Sequence, residues 1–167
     1  MKFSYGSNAQ KMAAWAEKLL NNILDQCGII GAIVTSTKRS PHDQARIMYE
    51  NLNGPHTDKQ EYINRQLKLY GEAGDTVIHV FAHQLSMGAS RESTIRAMED
   101  EIIVLGPQNV SRHCVDLPGY EVFDVAPSSI PQDKTRQFKA IVSNMHAVKK
   151  FIPYPLDPAY HIEMSNT

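Results

Sequence analysis

The chain has 167 residues, 42% of them hydrophobic and 21% charged, with a formal net charge of −1. That length suits one domain with a sizeable core, and the near-neutral balance argues against electrostatic capture of nucleic acid or an anionic membrane surface. No window approaches the roughly 18 apolar residues of a membrane helix, and "MKFSYGSNAQ" lacks an apolar stretch after its lysine, so synthesis in the cytoplasm without an export signal of its own is expected.

In chain order, residues 7–27 read as an amphipathic helix. Ser7 and Gln10 form a capping-box pattern, Met12, Trp15, Leu19, Leu20, Ile23 and Leu24 recur at helical spacing, and Gly28 is a natural stop. "IIGAIVTS" (29–36) is short and β-branched, which predicts a buried strand. "SPHDQARIMYENL" (40–52) opens a helix with Ser40 as N-cap, Pro41 in the first helical position and Asp43 in the first turn. Residues 53–107 look mostly helical, with a capping pattern at Thr57 and Gln60 and helical spacing near 75–87 and 91–104. "GYEVFDV" predicts a strand over 120–125, residues 131–147 a helix, and "KKFIPYPL" and "AYHIEM" two extended segments. The order predicts an α+β fold: one domain over 1–167, with a small antiparallel sheet flanked by helices and 53–107 as a helical insertion.

Cys27 and Cys114 are too few for a disulfide framework and read as free thiols, a single bridge being the alternative. Seven histidines offer two possible metal groupings. His79 and His83 in "HVFAH" share one helix face, as in HExxH, but Val80 stands where the glutamate belongs and no third ligand follows at a familiar interval. With Val77 and Phe81 facing a core, that pair reads as surface or boundary histidines. The second grouping is distributed: His113, Asp124 and His161. Two neutral imidazoles and a carboxylate would leave Zn²⁺ a net charge of about +1 and an open fourth position, the arrangement of a catalytic site. Composition and spacing alone do not single out these three.

Motifs do. "STKRSPHDQ" carries Arg39 and Gln44 at the end of a strand and in the following helix; Ser111, His113, Gly119 and Asp124 follow in "SRHCVDLPGYEVFD"; "YHIEM" carries His161 and Glu163. In order and position these segments resemble the S-G-Y-R-S, S-x-H-x-x-G-x-A-x-D and W-H-x-E (or V-H-x-D) motifs of the D-Ala-D-Ala carboxypeptidase and L-alanyl-D-glutamate endopeptidase family of zinc peptidases, which includes phage endolysins. The resemblance covers roughly a quarter of the chain. It implies Zn²⁺ held by His113, Asp124 and His161, an oxyanion role for Arg39, and substrate positioning by Gln44 and Ser111. The implied substrate is the peptidoglycan stem peptide and the implied protein a monomer, acting on the wall after release during phage lysis or carried by the virion.

The departures are specific. The His113–Asp124 interval exceeds the family's by four residues, which leaves Asp116 as a rival ligand. Ala159 and Pro158 occupy the places of the family's general base. Asp157 is the first choice for that role and Glu163 the second, Glu163 being alternatively a partner that orients His161. The rival reading is a non-catalytic zinc-binding or interaction domain of the same fold.

Overall fold

A computed structural model describes residues 1–54, 59–67 and 71–167. The elements along the chain are β1 (Phe3–Tyr5), α1 (Ala14–Cys27), β2 (Ala32–Ser36), α2 (Pro41–Leu52), α3 (Lys59–Gln66), α4 (Glu72–Ser86), α5 (Arg91–Leu105), the short α6 (Pro107–Val110), β3 (Tyr120–Val125), α7 (Thr135–Asn144), β4 (Val148–Ile152) and β5 (Tyr160–Ser165). The fold is α+β. Two compact units are present: Met1–Lys38 with Asp116–Thr167, and Arg39–Val115. The helices expected over 53–107 fall inside the second unit, which begins earlier, at Arg39.

The first unit is built on a five-stranded sheet, ordered β1-β2-β3-β5-β4. It is mixed rather than wholly antiparallel: β1 runs parallel to β2, and the other pairings are antiparallel. The parallel pair arises because α1 carries the chain from β1 back to the same end of the sheet, as a parallel connection requires. Alternation along β3 and β5 sends Phe123, Val125, Tyr160, Ile162 and Met164 to one face, where they pack with Leu20, Ile23 and Leu24 of α1 and Phe138 and Val142 of α7. Phe138 and Tyr160 meet edge-on with ring centroids 5.2 Å apart. Each fully buried aromatic or aliphatic side chain here contributes about 1.5–3 kcal/mol.

Two helices differ in extent from the expectation. The helix expected over 7–27 starts only at Ala14, without a side-chain cap. Amides that a helix starting at Ser7 would have capped or bonded internally are bonded elsewhere: Gln10 N–H donates to Thr37 Oγ1 (2.7 Å), Met12 N–H to the Tyr5 hydroxyl (3.0 Å) and Ala13 N–H to Glu121 (3.3 Å). Its end is as read. Gly28 takes φ 64°, and the Gly28 and Ile29 amides bond back to Asp25 and Leu24. The helix expected over 131–147 is trimmed at both ends, by a 3-10 turn at Gln132–Lys134 and by a turn closed by Val148 N–H on Met145 O (2.9 Å).

The second unit is helical. Ser40 and Ser90 cap α2 and α5 by accepting from the Asp43 and Ser93 amides. Met48, Tyr49 and Leu52 of α2 share a core with Val77, Ile78 and Phe81 of α4 and Ile95, Met98 and Ile102 of α5. Tyr49 and Phe81 pack edge-on at 5.6 Å. Thr57, half of the capping pattern with Gln60, lies outside the described residues. Among the described residues, no helix is long and apolar enough to cross a membrane.

Candidate metal centre

On the face of the sheet opposite the core just described, β3 and β5 present polar side chains. Antiparallel register pairs Asp124 with His161 and Val122 with Glu163. Residues directly opposite on one face have Cβ atoms roughly 5 Å apart, so the pairing itself brings the Asp124 carboxylate to the His161 ring. His161 Nδ1 lies 3.0 Å from Asp124 Oδ1. Two residues further along β5, and therefore on the same face, Glu163 offers Oε1 to His161 Nε2 at 3.2 Å. The second oxygen of Glu163 accepts from the Tyr120 hydroxyl. His161 is 5% exposed and Glu163 0%, so the middle of the network Tyr120–Glu163–His161–Asp124 is shielded from bulk water, while Tyr120 and Asp124 at its ends are half-buried.

Burial works against a charged His161. The hydrogen bonds and negative charge of Asp124, and then of Glu163, outweigh it, and the pKa of His161 lies above the ordinary histidine value. A cation is thus favoured at the ring even without a metal. With Glu163 taking the Nε2 proton, Nδ1 is the nitrogen left on the Asp124 side. This is the geometry by which an outer carboxylate sets the tautomer of a metal-ligating histidine.

The other sequence candidates come from the helical unit and the segment that ends it. His113 sits in a 3-10 turn, Arg112–Cys114, whose N-cap Ser111 accepts from the His113 amide at 3.3 Å. Arg39 donates its amide to the His113 carbonyl (2.8 Å) and its Nη1 to Gln44 Oε1 (2.9 Å). Gln44 is fully buried in the first turn of α2, and its Nε2 has no hydrogen-bond partner among the described residues. Arg39, Gln44, Ser111 and His113 are therefore linked by short-range contacts although two segments supply them.

His113, Asp124 and His161 each offer one ligand atom, and these atoms lie within 4.8 Å of one another; among the described residues no other group of three or more His, Cys, Asp or Glu does so. Ligands about 2.0–2.2 Å from a tetrahedral ion stand roughly 3.3–3.6 Å apart, so small side-chain adjustments close the group on a cation. The residues fit a metal. Two imidazoles and one carboxylate suit Zn²⁺ and other first-row divalent ions alike, so the donor set does not choose among them.

Asp116, the rival ligand, is exposed and lies outside this group. Asp157 is half-buried in the loop before β5, where its Oδ1 accepts from the Ala159 amide at 3.2 Å. Cys27 and Cys114 are both free. Burial pushes the Cys114 thiol up to about 11, with the charge of Arg39 opposing and that of Asp43 adding, so it stays a neutral thiol rather than a thiolate ligand. Tyr120 is the site residue that sequence reasoning missed. Its link to Glu163 spans 43 positions, and only the alternation of "YEVFD", which puts Tyr120 on the face of Asp124, hints at it. No protein family, curated protein or solved structure matches the chain.

Proposed function

We propose that the chain is a zinc-dependent peptidase that hydrolyses peptide bonds in peptidoglycan stem peptides. The observation that supports this reading most is the convergence of His113, Asp124 and His161, three residues far apart in sequence that the motif resemblance names as ligands, with their ligand atoms within 4.8 Å. Zinc held there supplies Lewis acidity and brings the pKa of a bound water toward about 7. The protein's own groups divide the remaining work. His113, Asp124 and His161 hold the cation, and Glu163 fixes the His161 tautomer through Nε2. Tyr120 holds Glu163 in turn.

Complete burial and two existing hydrogen bonds favour this orienting role for Glu163 over that of general base. Asp157, half-buried in a loop one strand-length from Glu163, is assigned the base: it takes a proton from the attacking water and returns it to the leaving amine. Arg39, braced by Gln44, is assigned to the carbonyl oxygen as it gains charge. Gln44, fully buried, is assigned to substrate positioning through Arg39, which donates to its Oε1, and Ser111 positions the turn that carries His113. A wall hydrolase of this kind serves phage lysis or wall penetration by a virion.

One observation favours a second reading, a zinc-binding domain without catalysis. Ala159 and Pro158 stand where the resemblance expects the base, and Asp157 is engaged with its own loop. Digestion of purified peptidoglycan, with mass analysis of the fragments and a zinc assay on the same protein, separates the two. New amino groups and defined stem-peptide fragments are the expected result. A protein that holds zinc, loses it in His113→Ala or His161→Ala, and releases no amine is the non-catalytic domain.

A further inference from the structure

The helical unit carries a feature that the proposed centre does not use. Between α4 and α5 lies a cleft of about 560 Å³, lined by His79, His83, Asp100, Glu101, Val80 and Val104 among others. We propose that this cleft is a second binding site, for a borderline divalent transition-metal ion of the Zn²⁺, Ni²⁺ or Cu²⁺ class, with His79 and His83 as its primary ligands and Asp100 and Glu101 completing the shell.

The argument starts from helix geometry. Residues four apart lie one above the other on a helix face, and both imidazoles of α4 do line the cleft. Their helix is anchored on its opposite side, where Val77, Ile78 and Phe81 are buried in the core shared with α5. Metal binding therefore orders four side chains and no backbone, which limits its entropic cost. The facing wall comes from α5, whose Met98 and Ile102 are buried in that same core while Asp100 and Glu101 line the cleft. The small Ala97 lies in the same wall. Two neutral imidazoles with two carboxylates neutralise a divalent ion, and mixed nitrogen and oxygen donors suit these metals rather than Mg²⁺ or Ca²⁺.

This site differs in kind from the first. His79 and His83 are exposed, and among the described residues the ligand atoms within 4.8 Å of one another are those of His113, Asp124 and His161. The cleft closes on its ion by rotation of surface side chains, so it fills after the buried group. The inference does not rest on the peptidase reading.

The test is calorimetric titration of the full chain, stripped with a chelator, with Zn²⁺ alone. The wild type takes up two equivalents in two steps. The double variant His79→Ala/His83→Ala loses the weaker step and keeps the other, whereas His113→Ala loses the tighter step and keeps the weaker. Asp100→Asn/Glu101→Gln, which leaves both imidazoles in place, weakens the second step without changing the helical circular dichroism. A His79→Ala/His83→Ala protein that folds and still takes up every equivalent bound by the wild type overturns the proposal. So does a wild type that binds no zinc beyond the equivalent lost with His113→Ala. A single equivalent lost only in the His79→Ala/His83→Ala protein upholds the cleft and counts against the buried centre.

Discussion

Glu163→Gln separates an orienting carboxylate from a catalytic one. The substitution keeps the size and shape of a side chain that is 0% exposed and removes its charge. Glu163 now accepts from two donors, the Tyr120 hydroxyl on one oxygen and His161 Nε2–H, at 3.2 Å, on the other. An amide has a single acceptor oxygen, so one of the two donors must face an NH₂ group. If Tyr120 turns to accept instead, its own proton loses its carboxylate partner in a half-buried setting. A hydrogen bond to a charged group contributes about 1.5–3 kcal/mol. Independently, loss of the outer partner of a metal-ligating histidine weakens metal binding by about 10–100-fold, equivalent to about 1.4–2.7 kcal/mol. The two estimates agree. The assay is competition for Zn²⁺ with a chromophoric chelator, alongside circular dichroism to confirm the fold. We expect a Kd raised about 10–100-fold, with Tyr120→Phe, which leaves the charge in place, near the tenfold end. An unchanged zinc affinity in Glu163→Gln refutes the orienting role, and if hydrolysis is abolished in that same protein, Glu163 is the base.

Asp157→Asn is expected to abolish amine release from peptidoglycan while zinc affinity stays within a few fold; full activity removes Asp157 from the mechanism. The raised pKa of His161 carries a signed pH effect in the metal-free protein. Stabilisation from the imidazolium is complete below the unfolded value of about 6.5 and is lost as pH rises through the higher folded value. The Tm of chelator-treated protein should therefore fall, as pH rises above about 6.5, more steeply than that of His161→Gln; parallel profiles would show that the shift is not expressed in stability. Zinc competes with that proton, so its stabilising effect should grow over the same interval. Cys114, 7% exposed with its thiol pushed up to about 11, should react with iodoacetamide at about pH 8 at least tenfold more slowly than an unperturbed thiol of pKa about 8.5. Rapid labelling of the folded protein at this residue would contradict the burial.

Features encoded by neighbouring residues were legible in the sequence. Ser40, Pro41 and Asp43 lie within one turn of each other and start α2 as read, and Gly28 ends α1 because only local backbone conformation is at stake. The alternation of "YEVFDV" and "YHIEM" predicts both central strands and puts Glu163 on the face of His161. What was not legible depends on partners distant in the chain. The start of α1 is displaced because Tyr5, Thr37 and Glu121 take the amides of Met12, Gln10 and Ala13. β1 is three residues long, too short for a period to declare itself, and without it the sheet reads as antiparallel. The ligand trio could be named through motifs, but Tyr120 enters only through the register of β3 against β5, which no local pattern specifies.

That register has a consequence for folding. Sliding β5 by one residue along β3 would turn His161 and Glu163 toward the hydrocarbon of α1 and α7 and present Ile162 to Asp124. A slipped sheet therefore loses its imidazole ligand and its hydrophobic fit together. A metal held at the centre would bind only the correctly aligned pair and would stabilise it by RT ln(1 + [M]/Kd). Metal occupancy would thus proofread strand alignment: it would report that β3 and β5 have met at the right residue, and deepen that one alignment against its neighbours.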